Sequence, residues 1–239
     1  MVMDNYPIKS IFLLTLVMGF SFSITSTYAQ NESSISYFPS NEKPFGLSYE
    51  DHITNYWKWI LSIPVEQNPM MDRTGEQCTF LQNLSSSSIF YLSANGGGKS
   101  ERTCTIPAGL GILIPIIDVE ASEAEKPGAT LQELHQIAKN DQDHVTSLYL
   151  KINDVEFDES ELRKHRFHTN DFEVLFPENA LFGANPGVSS AVADGFYIVT
   201  KPLAVGNYTI DFKGGLSCFG VECLEANFAT ENLNHLIVK

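Results

Sequence analysis

The chain has 239 residues and a formal net charge of -14, and with 43% hydrophobic residues it can bury a core without relying on disulfides alone. A surface this acidic repels phosphate backbones, which argues against nucleic acid and anionic membranes as partners.

At the N-terminus, Lys9 precedes an apolar run from Ile11 to Phe22, and small and polar residues follow as far as Thr27-Tyr-Ala29-Gln30. This layout predicts a secretory signal peptide over residues 1–29, cleaved after Ala29. The run is shorter than the roughly 20 apolar residues of a membrane helix, so no membrane span is expected after cleavage. The expected localisation is secreted, extracellular or at the cell surface. Asp4 and Lys9 cancel in the removed segment, so the mature chain keeps the whole charge. Residues 30–46 are rich in Ser, Asn, Glu and Pro and predict a flexible lead-in, with a single β-sandwich domain over 47–239.

Ser48 with Asp51 three residues on opens a predicted helix over 48–63, which Pro64 stops. Tyr49, Ile53, Tyr56 and Ile60 share one face of it. Trp57 and Trp59, two residues apart, diverge by about 200° and cannot pave one flat platform. Core packing is expected for both, in a helix pressed over an open end of the sandwich, with either Trp as a candidate binding residue beside a pocket.

Beyond Pro64, short β-rich runs recur between turn residues: 88–93, 102–106, 110–117, 146–152, 172–176, 196–200, 208–212, 224–229 and 235–238. Thr130-Leu-Gln-Glu133 opens a second helix over 130–144. Many strands with few helices predict a mainly β fold, a disulfide-stapled Greek-key β-sandwich of Ig-like or jelly-roll-like kind. Leu203, Gly206 and Tyr208 are spaced as in a tyrosine corner, in which the phenol bonds back to backbone.

All four cysteines lie beyond the cleavage site, where disulfides persist. Of the three possible pairings, Cys78–Cys104 and Cys218–Cys223 are expected, the second as the neck of a hairpin. Asn31, Asn83 and Asn207 head glycosylation sequons. Gly96-Gly-Gly-Lys99-Ser100 looks like a phosphate-binding loop, but Ser93 stands where its first glycine belongs, and a flexible hairpin tip is expected. Asp72-Arg-Thr74-Gly75 lacks the contiguous Asp-Thr-Gly of aspartic proteases and reads as a turn leading to Cys78. His165 and His168 would face opposite ways on a strand, so no metal site is expected there. The acidic stretch 154–161 lacks the order of a calcium loop, leaving weak surface Ca2+ binding and no other cofactor.

The chain resembles a family of exported, largely uncharacterised β-sandwich proteins over roughly Ser48 to Gly215. The shared pattern is a Trp-rich helix, here Tyr56-Trp-Lys-Trp59, then Asn68-Pro69, Asp72-x-Thr74-Gly75-x-x-Cys78 and Arg102-x-Cys104-x-x-Pro107-Ala-Gly109. Asp194-Gly195-Phe-Tyr and Pro202-Leu203…Gly206 also fit it. The resemblance implies the Cys78–Cys104 disulfide and the sandwich, and carries no activity. The expected function is a binding or structural role toward a carbohydrate, a protein or a cell-surface component. The alternative is an extracellular hydrolase or lyase, with Asp72, Arg73, Glu76, Arg102, Asp118 and Glu120 as candidates and His52 as a base. A metal-binding exported protein is the third reading. Convergence of Asp72, Arg102 and Asp118 on one pocket would favour an enzyme.

Overall fold

In the computed structural model, which describes residues 35–218 and 227–239, ten strands form two five-stranded sheets. The first runs β1 (Ile89–Tyr91), β3 (Gly111–Ser122), β8 (Gly187–Val199) and β6 (Arg166–His168), with β7 (Phe172–Phe176) also paired to β8. The second runs β2 (Gly98–Ile106), β10 (Asn227–Val238), β9 (Gly206–Ser217), β4 (Val145–Ile152) and β5 (Val155–Glu156). Pairing is antiparallel except for β1 with β3 and β2 with β10. The described residues fall in one unit, Ser34–Lys239. The predicted signal segment, Asn31 and Cys223 lie outside the described residues, and with Cys223 the expected Cys218–Cys223 bridge.

Burial along the strands separates the two sheets. β9 buries every second residue from Tyr208 to Leu216, whereas β3 and the last nine residues of β8 are buried almost throughout. Alternation marks a sheet with one solvated face, and continuous burial marks a sheet covered on both. The second sheet accordingly turns Leu150, Ile210, Phe212 and Leu236 inward against Ile112, Ile114 and Ile198 of the first, making the sandwich core.

The outer face of the first sheet is covered by α1 (Tyr49–Leu61), which starts with the predicted capping box of Ser48 and Asp51. Tyr49, Ile53, Tyr56 and Ile60 pack on Phe167, Val174 and Tyr197, with Tyr49 stacked on Phe167 at 4.2 Å. The helix therefore lies on a sheet face and not over an open end, because β3 and β8 are apolar on both sides and their second face needs cover. α2 (Leu131–Asp143) follows the capping box of Thr130 and Glu133 and lays Leu134 and Ala138 on Ala121 and Val192. One further turn, α3 (Glu159–Leu162), is capped by Asp158.

Three expectations need correction. The lead-in is ordered from Ile35: Tyr37 bridges Thr200, the Phe38 N–H donates to Val199 O at 2.9 Å, and the Tyr49 hydroxyl donates to Phe38 O at 2.6 Å. Two aromatics in a polar stretch were enough to pin it to the sheet edge. The Gly96–Ser100 segment is not a hairpin tip, since β1 and β2 belong to different sheets and Lys99 and Ser100 already lie in β2. The last two predicted runs are parts of one strand, β10, as far as the described residues reach. The Cys78–Cys104 disulfide is formed with a Cα separation of 6.2 Å, and the Tyr208 hydroxyl donates to Ala204 O at 3.1 Å, closing the tyrosine corner. No helix among the described residues is long and apolar enough to cross a membrane.

Candidate functional site

A single irregularity in β3 builds the site. Pro115 stands opposite Tyr197, but the register slips by one, so that Ile117 opposes Phe196 and Asp118 opposes Gly195. An extra residue in one strand inverts the side-chain alternation beyond it. Ile116 and Ile117 both turn into the sandwich core, and Asp118 and Glu120 are carried to the α1 side of the sheet, the face of Tyr197. On the second sheet, Gly214 makes room for the displaced chain: a Cβ there would lie 2.5 Å from the Ile117 Cβ.

On that side the Trp57 Nε1–H donates to the Tyr197 hydroxyl at 3.0 Å, and the hydroxyl donates to Asp118 Oδ2 at 3.1 Å. The phenol has one proton to give, so accepting from Trp57 directs it at the carboxylate. Burial nevertheless dominates, and it pushes the Asp118 carboxyl up to about 7 although the Tyr197 bond favours its ionised form. Glu120 is more extreme. It is 4% exposed, and apart from a proton shared with Glu125 and the neighbouring Ser122 hydroxyl its oxygens have no donor in regular hydrogen-bond geometry. Its polar neighbour is the Glu125 carboxyl, another acceptor, which itself accepts from the Ser122 hydroxyl at 3.1 Å. Burial raises both glutamates, Glu120 far more than Glu125, and the adjacent Glu125 charge raises Glu120 further. Two such carboxyls side by side share a proton in the manner of a dyad.

These groups border a cavity of about 400 Å³ at one end of the sandwich, within the size range of small-molecule sites. β3 contributes Asp118 and Glu120, the following turn Glu125 and Lys126, and α2 contributes Asp141. The rest of the lining is largely apolar: Trp57, Met70, Leu216, Phe228 and Phe182. Phe182 is 55% exposed and sits at φ 58°, ψ 11°. A bulky residue in that left-handed region costs about 1 kcal/mol or more, and such strain concentrates at functional sites. Asn95 and Thr230 complete the lining and belong to a buried amide network, in which the Asn95 amide donates to Ser100 and its carbonyl accepts from Thr230.

The remaining sequence candidates stand elsewhere and hold structure. Asp72 accepts from the Thr74 N–H, the Thr74 hydroxyl and the Gln77 N–H, each at 2.8 Å. Partial burial opposes its charge, yet these bonds hold the carboxyl below its ordinary range. The turn it caps is the one expected ahead of Cys78. Gly75 is required there, because a Cβ would lie 2.5 Å from Thr103 O and φ is +95°. Arg73 donates to Lys99 O and Gly97 O. Arg102 is buried, its guanidinium pushed down to about 10 by burial, and it donates to Asp72 O, Ser93 O and the Asn232 side chain. Glu76 is exposed away from the cavity. His52 is buried with Nε2 2.8 Å from Pro44 O, and burial lowers its basicity. Asp72, Arg102 and Asp118 therefore do not converge; Asp118 and Glu120 alone of the seven candidates reach the cavity.

Trp57 and Trp59 are both buried as expected, 2% and 9% exposed. They diverge in role: Trp57 lines the cavity, while the Trp59 Nε1–H donates to Phe80 O at 2.9 Å. His165 is enclosed between Glu161 O and Phe38 O, while His168 meets His135 and Asp194, so this pair does not chelate. Asn83 and Asn207 are exposed. Glu125, Asp141, Tyr197 and Phe182 were not singled out from the sequence; they lie far apart in it, and the fold alone assembles them. No protein-family model, curated protein or solved structure gives a significant match to the chain.

Proposed function

We propose that the protein is an exported β-sandwich that binds a small extracellular ligand in the cavity at the end of β3. One observation carries the reading: Glu120, a buried carboxyl beside a second carboxyl, lines one cavity with Asp118 and Glu125, and the rest of that lining is largely apolar. A buried carboxyl costs stability, and a strand that uses a bulge to place two of them in one cavity indicates that the arrangement is selected for a partner. Export is supported by the N-terminal sequence pattern and by the Cys78–Cys104 disulfide, and the resemblance to the exported sandwich family fits the same picture. Asn83 and Asn207, both exposed, are sites for N-linked glycan in this reading.

A second reading, an extracellular hydrolase or lyase, is favoured by one feature: Asp118 has a carboxyl brought to about 7 and is held by a Tyr197 hydroxyl that Trp57 orients. A group so poised can serve as a general acid or base near neutral pH. Binding ranks first because Asp118 has no nucleophile or oxyanion donor beside it among the hydrogen bonds of the site.

The test is a thermal-shift screen of the mature protein against small sugars, amino acids and amines, repeated with Asp118→Asn. A ligand that raises the melting temperature of the wild type and shifts Asp118→Asn less supports the cavity. Ligands that shift both proteins equally, or a screen without any shift, would refute it. Turnover of a binding ligand, lost in Asp118→Asn, would favour the enzyme.

A further inference from the structure

Resting on the binding reading, we infer that the ligand of this cavity is an organic cation, a molecule carrying an ammonium or guanidinium head on an apolar or sugar body, with the head seated at the carboxyl cluster of Asp118, Glu120 and Glu125.

The charge inventory of the cavity is one-sided. Asp118 from β3, Glu125 from the following turn and Asp141 from α2 line the cavity with Glu120, and Lys126 is the one basic side chain of the lining among the described residues. An anion would be repelled, and a neutral body would leave the charge unanswered. A cationic head supplies N–H donors to a pair of carboxyls that have only a shared proton and the Ser122 hydroxyl between them. The apolar part of the lining suits the rest of the molecule. Trp57, Phe182 and Phe228 belong to it, and aromatic faces attract cations and stack on apolar bodies. A bare metal ion fits less well: the volume of about 400 Å³ far exceeds an ion, and among the described residues no three His, Cys, Asp or Glu side chains are placed to hold one.

The shared proton of Glu120 and Glu125 gives the inference a second readout. Seating a cation favours the ionised pair, so binding expels a proton and tightens as pH rises. The other ionisable side chains of the lining are Asp118, Asp141 and Lys126.

Glucosamine and glucose make a matched probe pair, differing by an ammonium in place of a hydroxyl, and agmatine and choline extend the cationic set. Calorimetric titration of the mature protein at pH 6 and pH 8, in two buffers of different ionisation enthalpy, should show a cationic probe binding with proton release, more tightly at pH 8, while glucose does not bind. Glu120→Gln is isosteric and removes the buried charge; it should melt no lower than the wild type and lose roughly tenfold or more in affinity for that probe. Glucose binding as well as glucosamine, or undiminished cation binding by a folded Glu120→Gln, would overturn the cationic inference and leave the cavity reading standing. Saturation by Ca2+ alone would overturn it in favour of a metal site. Failure of every probe, charged and neutral, would overturn both.

Discussion

Replacing Asp118 by Asn should change the pH dependence of folding in a direction fixed by the structure. The folded carboxyl titrates near 7 against an ordinary value of 3.8, so between those values the native state holds a proton that the unfolded chain has released. Stability is therefore greatest below pH 4, falls as pH rises, and levels off above 7. Each tenfold difference in acidity is worth about 1.4 kcal/mol, which makes the full displacement about 4 kcal/mol. Asp118 keeps part of its surface open to the cavity, and water there screens the charge, so about 2 to 4 kcal/mol is expected. An amide has no such titration, and its carbonyl still accepts the Tyr197 hydroxyl. Asp118→Asn should match the wild type within about 1 kcal/mol at pH 4 and exceed it by about 2 to 4 kcal/mol at pH 8. Urea denaturation from pH 4 to pH 8 measures this. Glu120 and Glu125 impose their own slope on both proteins, so only the difference counts. Parallel stability curves would show that Asp118 ionises normally and that burial does not control it.

Trp57→Ala and Trp59→Ala should each cost roughly 3 to 5 kcal/mol in urea denaturation, as buried aromatic truncations do, but only Trp57→Phe, which deletes the bond to Tyr197, should alter the titration of Asp118, read as the carboxyl 13C shift by NMR. Tyr208→Phe removes the bond to Ala204 O and should lower stability by roughly 1 kcal/mol; an unchanged denaturant midpoint would mean the corner contributes nothing. Opening the Cys78–Cys104 bridge by replacing both residues with Ser releases a loop of sequence separation 26, for which chain entropy gives about 3.5 kcal/mol; a loss under about 1 kcal/mol in calorimetry would contradict a stapling role.

The helices and the half-buried strands could be read from sequence because their signals are local. Two capping boxes fixed the starts of α1 and α2, and strict alternation fixed Phe172–Phe176 to the residue. β8 escaped in its first half, since Ser189-Ser-Ala-Val-Ala193 passes from half-buried serines to residues buried on both faces and therefore shows no alternation to detect. The polar start of β2, Gly98-Lys-Ser100, looked like a turn for a similar reason: its register comes from β10, at the far end of the chain. At the site, Asp118 and Glu120 stood among the polar candidates named from the sequence. Asp72 and Arg102 looked equally chemical, but their partners turned out to be backbone groups that only the folded chain supplies. The pair Ile116-Ile117 was the overlooked clue, because two large apolar residues in succession ahead of alternating acids mark an inverted phase.

That inversion sets which kinds of genetic change the site survives. Point substitutions along β3 leave the count of residues intact, and with it the side of the sheet on which Asp118 and Glu120 emerge. Deletion of one residue at 116 or 117 would restore regular pairing with β8 and rotate both carboxyls to the apolar face that Val119 and Ala121 turn toward Leu134 and Ala138, where each would cost several kcal/mol. The same deletion would leave a gap beside Gly214, whose missing side chain fits only the displaced strand. Gain or loss of this site in a lineage should therefore be recorded as a one-residue length change in β3 together with the size of residue 214 on the opposite sheet.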